Sequence, residues 1–325
     1  MALLEVQGLR VEFALRRQTL VALDNVGFAV DAGEILGIVG ESGAGKSLTL
    51  DAIVGLIEPP GRRARGEIHL AGRRIDHLSD AELRNVRGKE IGTVFQDPMT
   101  SLNPLYTVGY QLVQTIRTHL DVGQQEARSR AIELLAEVGI PEPKRRFDFY
   151  PHQFSGGMRQ RVVIALALCA EPRLILADEP TTALDVSTQA QVLDLLRRLC
   201  DEFDVGMVLI SHDMGVIAQT ADRVAVMYAG RIVETGDVQT LMRSPLHPYT
   251  QALLSSVPTM ECRGERLAYI DGVMPQLAEM PTGCAFHPRC SRRSERCESE
   301  YPAFSSIEPS HSVACWLVDQ RTVHG

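Results

Sequence analysis

The sequence has no excess of positive charge. Its 33 Lys and Arg are outnumbered by 41 Asp and Glu, a formal charge of -8. Binding to a phosphate backbone needs a basic face, so the balance argues against nucleic acid as the partner. A membrane protein is not excluded by the same balance. Aromatics are scarce at 5%, no internal repeat or low-complexity tract interrupts the chain, and no heptad run marks a coiled coil. Long apolar runs are also missing: the longest, Val162 to Ala170, falls well short of the roughly 20 residues that cross a bilayer. Any membrane association must therefore come through partners. Met1-Ala2-Leu3-Leu4-Glu5 offers neither the basic start nor the apolar core of a signal peptide, so the chain is expected to be cytosolic. In that reducing compartment its 7 cysteines are not expected to form disulfides, and clustered ones read first as metal ligands.

What is present is the composition of a compact α/β protein, 45% hydrophobic and 23% charged over 325 residues, with room for one sizeable core and a smaller appendage. Leu3 to Phe13 and Thr19 to Val30 alternate as strands do. Glu34 to Val39 is a short strand that runs into a glycine-rich turn and then a helical pattern from Lys46. Gly66 to Ile75 reads as a strand pair and Ile91 to Phe95 as a buried strand ending at Gln96. From Asp97 to Gln153 the pattern is helical, clearest over Gln111 to His119 and Glu126 to Val138, with a break at Pro141 to Lys144. Strands return at Leu174 to Ala177, Met207 to Ser211 and Val224 to Tyr228, with a helix over Thr188 to Glu202 between the first two. That alternation predicts a largely parallel sheet with right-handed crossovers. After Pro245 proline, cysteine and charge dominate and no long periodic element is visible, so the domain boundary is placed there.

Gly40-Glu41-Ser42-Gly43-Ala44-Gly45-Lys46-Ser47 fits GxxxxGK[ST] between a strand and a helix, the context this phosphate loop requires. Its glycines let backbone amides, through to Leu48 at the helix start, curl around phosphates. Lys46 reaches the terminal phosphates, and Ser47 offers a magnesium ligand. Leu174-Ile175-Leu176-Ala177-Asp178-Glu179 is an apolar strand ending in two carboxylates. Asp178 is assigned to magnesium and Glu179 to polarising the attacking water as general base.

Phe154-Ser155-Gly156-Gly157-Met158-Arg159-Gln160-Arg161, just before that strand, resembles the signature sequence of ATP-binding cassette (ABC) proteins when taken with the phosphate loop. It departs from the common LSGGQ form at Phe154 and Met158 but keeps Ser155-Gly156-Gly157. The resemblance extends over essentially the whole chain. It implies an α/β P-loop cassette with a RecA-like core, an antiparallel β subdomain and an inserted helical subdomain at about residues 97–165. It further implies Gln96 as the Q-loop residue and a magnesium ligand, Ala183-Leu184-Asp185 as the D-loop at the nucleotide, and His212 as the switch histidine. Ser155, Gly156 and Gly157 would complete the partner's site, so that Mg-ATP is sandwiched between two chains. Phe13 is placed by position alone, as an adenine-stacking residue or a core aromatic on an edge strand.

Gln96 to Pro104 (QDPMTSLNP) and His247 to Leu254 (HPYTQALL) narrow the resemblance to the ATPase subunits of bacterial dipeptide and oligopeptide importers. This implies a motor peripheral to the cytoplasmic face of the inner membrane. Its implied partners are a second, paralogous ABC ATPase as heterodimer, two transmembrane permease subunits and an extracytoplasmic peptide-binding protein. The cassette is expected over 1–245 and a C-terminal extension over 246–325. Nickel or glutathione remains open as cargo. An ABC ATPase acting on nucleic acid or ribosomes is disfavoured by the single cassette and acidic balance, and a non-hydrolysing cassette by the presence of Glu179 and His212.

Cys284, Cys290, Cys297 and Cys315 gather in this extension, while Cys169, Cys200 and Cys262 are scattered. Their spacing fits neither zinc-finger pairs nor ferredoxin runs, so it does not choose between zinc and iron-sulfur. The resemblance implies a 4Fe-4S cluster. His287 and His311 are alternative ligands, with solvated loop histidines the preferred reading. Residues 259–325 have too few apolar side chains to hold together without a staple.

Overall fold

The computed structural model describes residues 2–182, 184–256 and 270–319. They form two compact units that interleave along the chain. One comprises the described residues of Met1–Leu4, Val30–Ile35 and Leu70–Leu209; the other comprises those of Glu5–Ala29, Leu36–His69 and Ile210–Gly325.

In the first unit, strands Ile91–Val94 and Leu174–Asp178 run parallel, in register from Ile91 opposite Leu174 to Val94 opposite Ala177. Leu174, Ile175, Leu176 and Ala177 are all fully buried, which is why this strand reads as a continuous apolar run rather than an alternation. The helices Val108–His119, Gln124–Glu137 and Gly156–Leu168 pack on one another. The first buries Val108, Leu112, Val113 and Ile116, a stripe at helical spacing. Each such side chain contributes roughly 1.5 to 3 kcal/mol when fully buried. Thr107 caps this helix by accepting the Tyr110 N–H at 3.3 Å.

The second unit carries two sheets. In one, Leu4–Ala14 lies between Thr19–Val30 and Gly61–Leu70. The first two are joined by a turn closed from the Leu15 N–H to the Gln18 carbonyl at 2.9 Å, a connection short enough to require antiparallel pairing. In the other, Ile35–Val39 runs parallel to Arg223–Tyr228. That strand forms a hairpin with Arg231–Asp237 through Ala229 and Gly230, whose φ values of 47° and 78° suit a two-residue turn.

The described C-terminal residues extend this second sheet. His311–Val313 pairs antiparallel with Arg231–Asp237, and Ser305–Glu308 pairs beyond it. The region expected to show no long periodic element also holds the short helix Pro248–Ser255. Its shortage of apolar side chains is met from the body of the unit. Phe286, 3% exposed, sets its ring 5.2 Å from Tyr228 and 5.4 Å from Tyr249. Glu234 is fully buried and accepts the Leu246 N–H at 2.7 Å, the His247 N–H at 3.0 Å and His311 Nε2 at 2.8 Å. His311 is therefore not the solvated loop histidine expected; a buried carboxylate needs donors, and His311 is one of them. Among the described residues no helix is long and apolar enough to cross a membrane.

Candidate nucleotide site and cysteine cluster

The phosphate loop lies in the second unit, between Ile35–Val39 and helix Lys46–Val54. Gly43 and Gly45 take positive φ of 83° and 104°, a region other residues rarely enter. Gly45 caps the helix without a side-chain bond, so the first-turn amides are not used by a capping side chain. Ser42, Gly43 and Ser47 are exposed, Leu48 is half-buried, and Ala44 and Lys46 are buried. Lys46 Nζ donates to the Gly40 carbonyl at 2.8 Å and the Glu41 carbonyl at 3.1 Å.

Two residues outside the motif, Arg289 and Tyr249, touch this loop and Tyr228 backs Arg289; none of the three was assigned to the site from the sequence. Arg289 forms a forked ion pair with Glu41, Nη1 to Oε2 at 2.6 Å and Nη2 to Oε1 at 2.9 Å. Tyr249 accepts the Glu41 N–H at 2.8 Å, and Tyr228 accepts from Arg289 Nη1 at 3.4 Å. Burial pushes the Tyr249 phenol well above its ordinary pKa. The stretch His247 to Leu254, read only as a family marker, was the available signal for Tyr249.

Also in the second unit, Phe13 is half-buried on its strand, close to where a side chain at Gly61 would fall. His212 is exposed between Ser211 and Asp213, whose main chain is tied by the Asp213 N–H to Ser211 Oγ at 3.0 Å.

In the first unit, Asp178 ends its strand and Glu179 follows in a left-handed conformation, φ 45°. Such backbone strain in a non-glycine residue collects at functional positions. Gln96 Nε2 donates to Glu179 Oε2 at 3.1 Å, and Thr182 Oγ1 donates to the same oxygen at 2.9 Å. The structure thus brings two of the sequence-assigned residues together and adds Thr182.

Ser155 caps helix Gly156–Leu168 by accepting the Met158 N–H at 3.4 Å. Phe154 is buried and packs edge-on to Phe149 at 6.3 Å, and Met158 Sδ accepts from Arg146 at 3.6 Å, which gives both departures from the common signature a local partner. A Cβ on Gly157 would lie 2.3 Å from Thr188 Cγ2, so glycine is needed for the approach of helix Val186–Phe203. Asp185 caps that helix. Its carboxylate accepts the Thr188 N–H at 3.0 Å and the Thr188 hydroxyl at 2.7 Å, bonds that hold its pKa below the usual range. Ala183 lies outside the described residues.

The four C-terminal cysteines line one small cavity of about 20 Å³, together with His247, His287 and Trp316. Burial, then the neighbouring thiols, pushes Cys284 and Cys315 up to about 11. His287 Nδ1 is within 3.0 Å of the Cys284 carbonyl. Among the described residues no group of three or more His, Cys, Asp or Glu is placed to hold a metal ion. Cys262 lies outside the described residues.

Two family models match the chain: "ABC transporter" over residues 23–182 and "Oligopeptide/dipeptide transporter, C-terminal region" over 233–297. The dipeptide transport ATP-binding protein DppD of Escherichia coli (strain K12) is 46% identical over 97% of this chain and 96% of that protein. The oligopeptide transport ATP-binding protein OppD of Bacillus subtilis (strain 168) is 50% identical over 97% of this chain and 89% of that protein. The chain belongs to the ABC transporter family. It is an ATPase cassette with the α/β P-loop fold, and solved cassettes agree. The dimeric ATP-binding cassette MJ0796 bound to ADP and Pi superposes with a TM-score of 0.65 at 31% identity, covering 72% of this chain and 98% of that one. CbiO1 from Clostridium perfringens gives 0.64 at 27% identity, over 75% of this chain and 91% of that one.

Proposed function

We propose that this cassette is the ATP-hydrolysing subunit of a bacterial importer of dipeptides or oligopeptides, peripheral to the cytoplasmic face of the inner membrane. The observation that carries the reading is the match of residues 233–297 to the C-terminal region of oligopeptide and dipeptide transporters. Its partners are then a second ABC ATPase, two transmembrane permeases and an extracytoplasmic peptide-binding protein. The cassette occupies 1–245 and the extension 246–325.

In this reading Lys46 and the amides from Gly40 to Leu48 hold the triphosphate, and Phe13 stacks on adenine. The hard oxygens of Ser47, Gln96 and Asp178 suit magnesium, which when bound would neutralise charge developing on the phosphates. Glu179 takes the proton of the attacking water. Gln96 and Thr182 aim its carboxylate, and His212 orients the terminal phosphate and water. Ser155, Gly156 and Gly157 present a capped helix start to the nucleotide of the partner chain. Asp185 supports them from the same chain through Thr188.

The four cysteines of the extension are read as ligands of a 4Fe-4S cluster, ahead of a single zinc, on the resemblance of the extension to that of peptide-importer ATPases. Four thiols border one space, the donor type that iron-sulfur clusters use, and burial raises the pKa of Cys284, Cys290 and Cys315 in the absence of a metal. Cys284, Cys290, Cys297 and Cys315 would hold the cluster, whose contribution is to staple the extension.

Uptake of labelled dipeptides, longer peptides, glutathione and nickel in cells lacking the chain tests the cargo. Loss confined to peptides is expected. Loss confined to nickel or glutathione would move the same motor to another solute.

A further inference from the structure

Glu41 is the second residue of the phosphate loop, and a carboxylate there opposes the negative charge of a nucleoside triphosphate. Arg289, 248 residues away, meets it with both guanidinium nitrogens, at 2.6 and 2.9 Å. The Arg289 side chain is only 5% exposed and is anchored from behind. Nε donates to the Asp271 carbonyl at 2.8 Å, Nη2 to the Ile270 carbonyl at 3.3 Å and Nη1 to Tyr228 Oη at 3.4 Å. The main chain of Glu41 is held as well: its N–H donates to Tyr249 Oη at 2.8 Å, and its carbonyl accepts from Lys46 Nζ at 3.1 Å. One residue of the phosphate loop is thus fixed on its amide, its carbonyl and its carboxylate, and two of those three ties come from beyond residue 245.

We infer that Arg289 is a positioning residue for nucleotide binding: it neutralises Glu41 and, with Tyr249, fixes the loop so that its amides and Lys46 are set for the polyphosphate. The inference rests on the phosphate-loop reading above. It assigns the C-terminal stretch a task at the nucleotide site that does not depend on what the neighbouring cysteines hold. A forked guanidinium suits the task because its charge is permanent and its planar donors match a carboxylate.

The test is equilibrium titration of a fluorescent ATP analogue with magnesium into the full-length chain, with thermal melts alongside. Lys46→Ala should weaken binding; if it does not, the phosphate-loop reading itself fails. Arg289→Ala exposes the bare charge of Glu41 and should raise Kd about tenfold. Arg289→Lys keeps the charge but loses the fork, and should raise it about threefold. Glu41→Gln leaves Arg289 uncompensated and should tighten binding about threefold. The double variant Arg289→Ala, Glu41→Gln should return to within about threefold of the parent, because no charge is left opposed. A merely structural bond would give no such recovery. Unchanged affinity in Arg289→Ala, or a folded double variant as weak as the single one, overturns the inference. Should Arg289→Ala melt below the assay temperature, Arg289→Lys with and without Glu41→Gln carries the same comparison.

Discussion

Gln96 donates a hydrogen bond to Glu179 at 3.1 Å across 83 positions of sequence, and Thr182 donates to the same oxygen at 2.9 Å. Two donors on one carboxylate oxygen fix its direction, which a general base needs as much as a suitable pKa. Glu179→Gln is expected to keep nucleotide binding and lose about two to four orders of magnitude in kcat. Gln96→Ala, which frees the carboxylate to turn and also removes a proposed magnesium ligand, should lower kcat by at least about tenfold. Steady-state hydrolysis by the assembled ATPase pair checks both. Near-normal turnover in Glu179→Gln would mean the base is misassigned.

The signature turn makes a separate prediction about packing. Gly157→Ala places a methyl 2.3 Å from Thr188 Cγ2, an overpacking that should destabilise the chain by about 1 to 3 kcal/mol. Adding Thr188→Ser removes that methyl while keeping the hydroxyl that bonds Asp185, and should recover most of the loss. Thermal melts of the single and double variants decide.

His247 should make stability fall with mild acid. It is 2% exposed, its Nδ1 accepts the Tyr249 N–H at 3.0 Å, and burial, with a smaller effect of Arg292, lowers its pKa from 6.5 to about 3. Between those values the unfolded chain binds a proton that the folded chain refuses. Stability is then fully present above about pH 6.5 and declines as pH falls toward 3, at a slope approaching about 1.4 kcal/mol per pH unit. Melts from about pH 7.5 to about 5 should show the drop. His247→Asn, which keeps a capping oxygen but does not titrate, should flatten it.

The extension's metal is decided by analysis of anaerobically purified protein. Iron and acid-labile sulfide at about four each per chain is expected for a 4Fe-4S cluster, and Cys290→Ser should lower both. Stoichiometric zinc without iron would replace the cluster with a single-ion site.

Motifs that carry their chemistry locally were legible in the sequence. The loop from Gly40 to Ser47 announces itself because glycines, lysine and serine must follow one another. The apolar strand to Asp178 does so because both its faces are buried. Strand Arg231–Asp237 was not legible, since it mixes arginine, glutamate, threonine and glycine, and its one fully buried acid, Glu234, is satisfied by Leu246, His247 and His311. Ser305–Glu308 and His311–Val313 are shorter than any period the eye can test. Arg289 looked like one more charge in a loop, because its partner Glu41 lies 248 positions away and only folding brings them together. Asp185 was assigned to a loop at the nucleotide, and its bonds here run to Thr188, a capping geometry that spacing alone does not distinguish from a ligand.

The most direct test of the account is uptake of labelled dipeptides and oligopeptides by cells whose only copy of this chain carries Glu179→Gln, with ATP hydrolysis measured on the purified transporter. The account predicts that peptide uptake and hydrolysis fall together while the complex still assembles and binds ATP. Undiminished peptide uptake, with hydrolysis abolished, would contradict it.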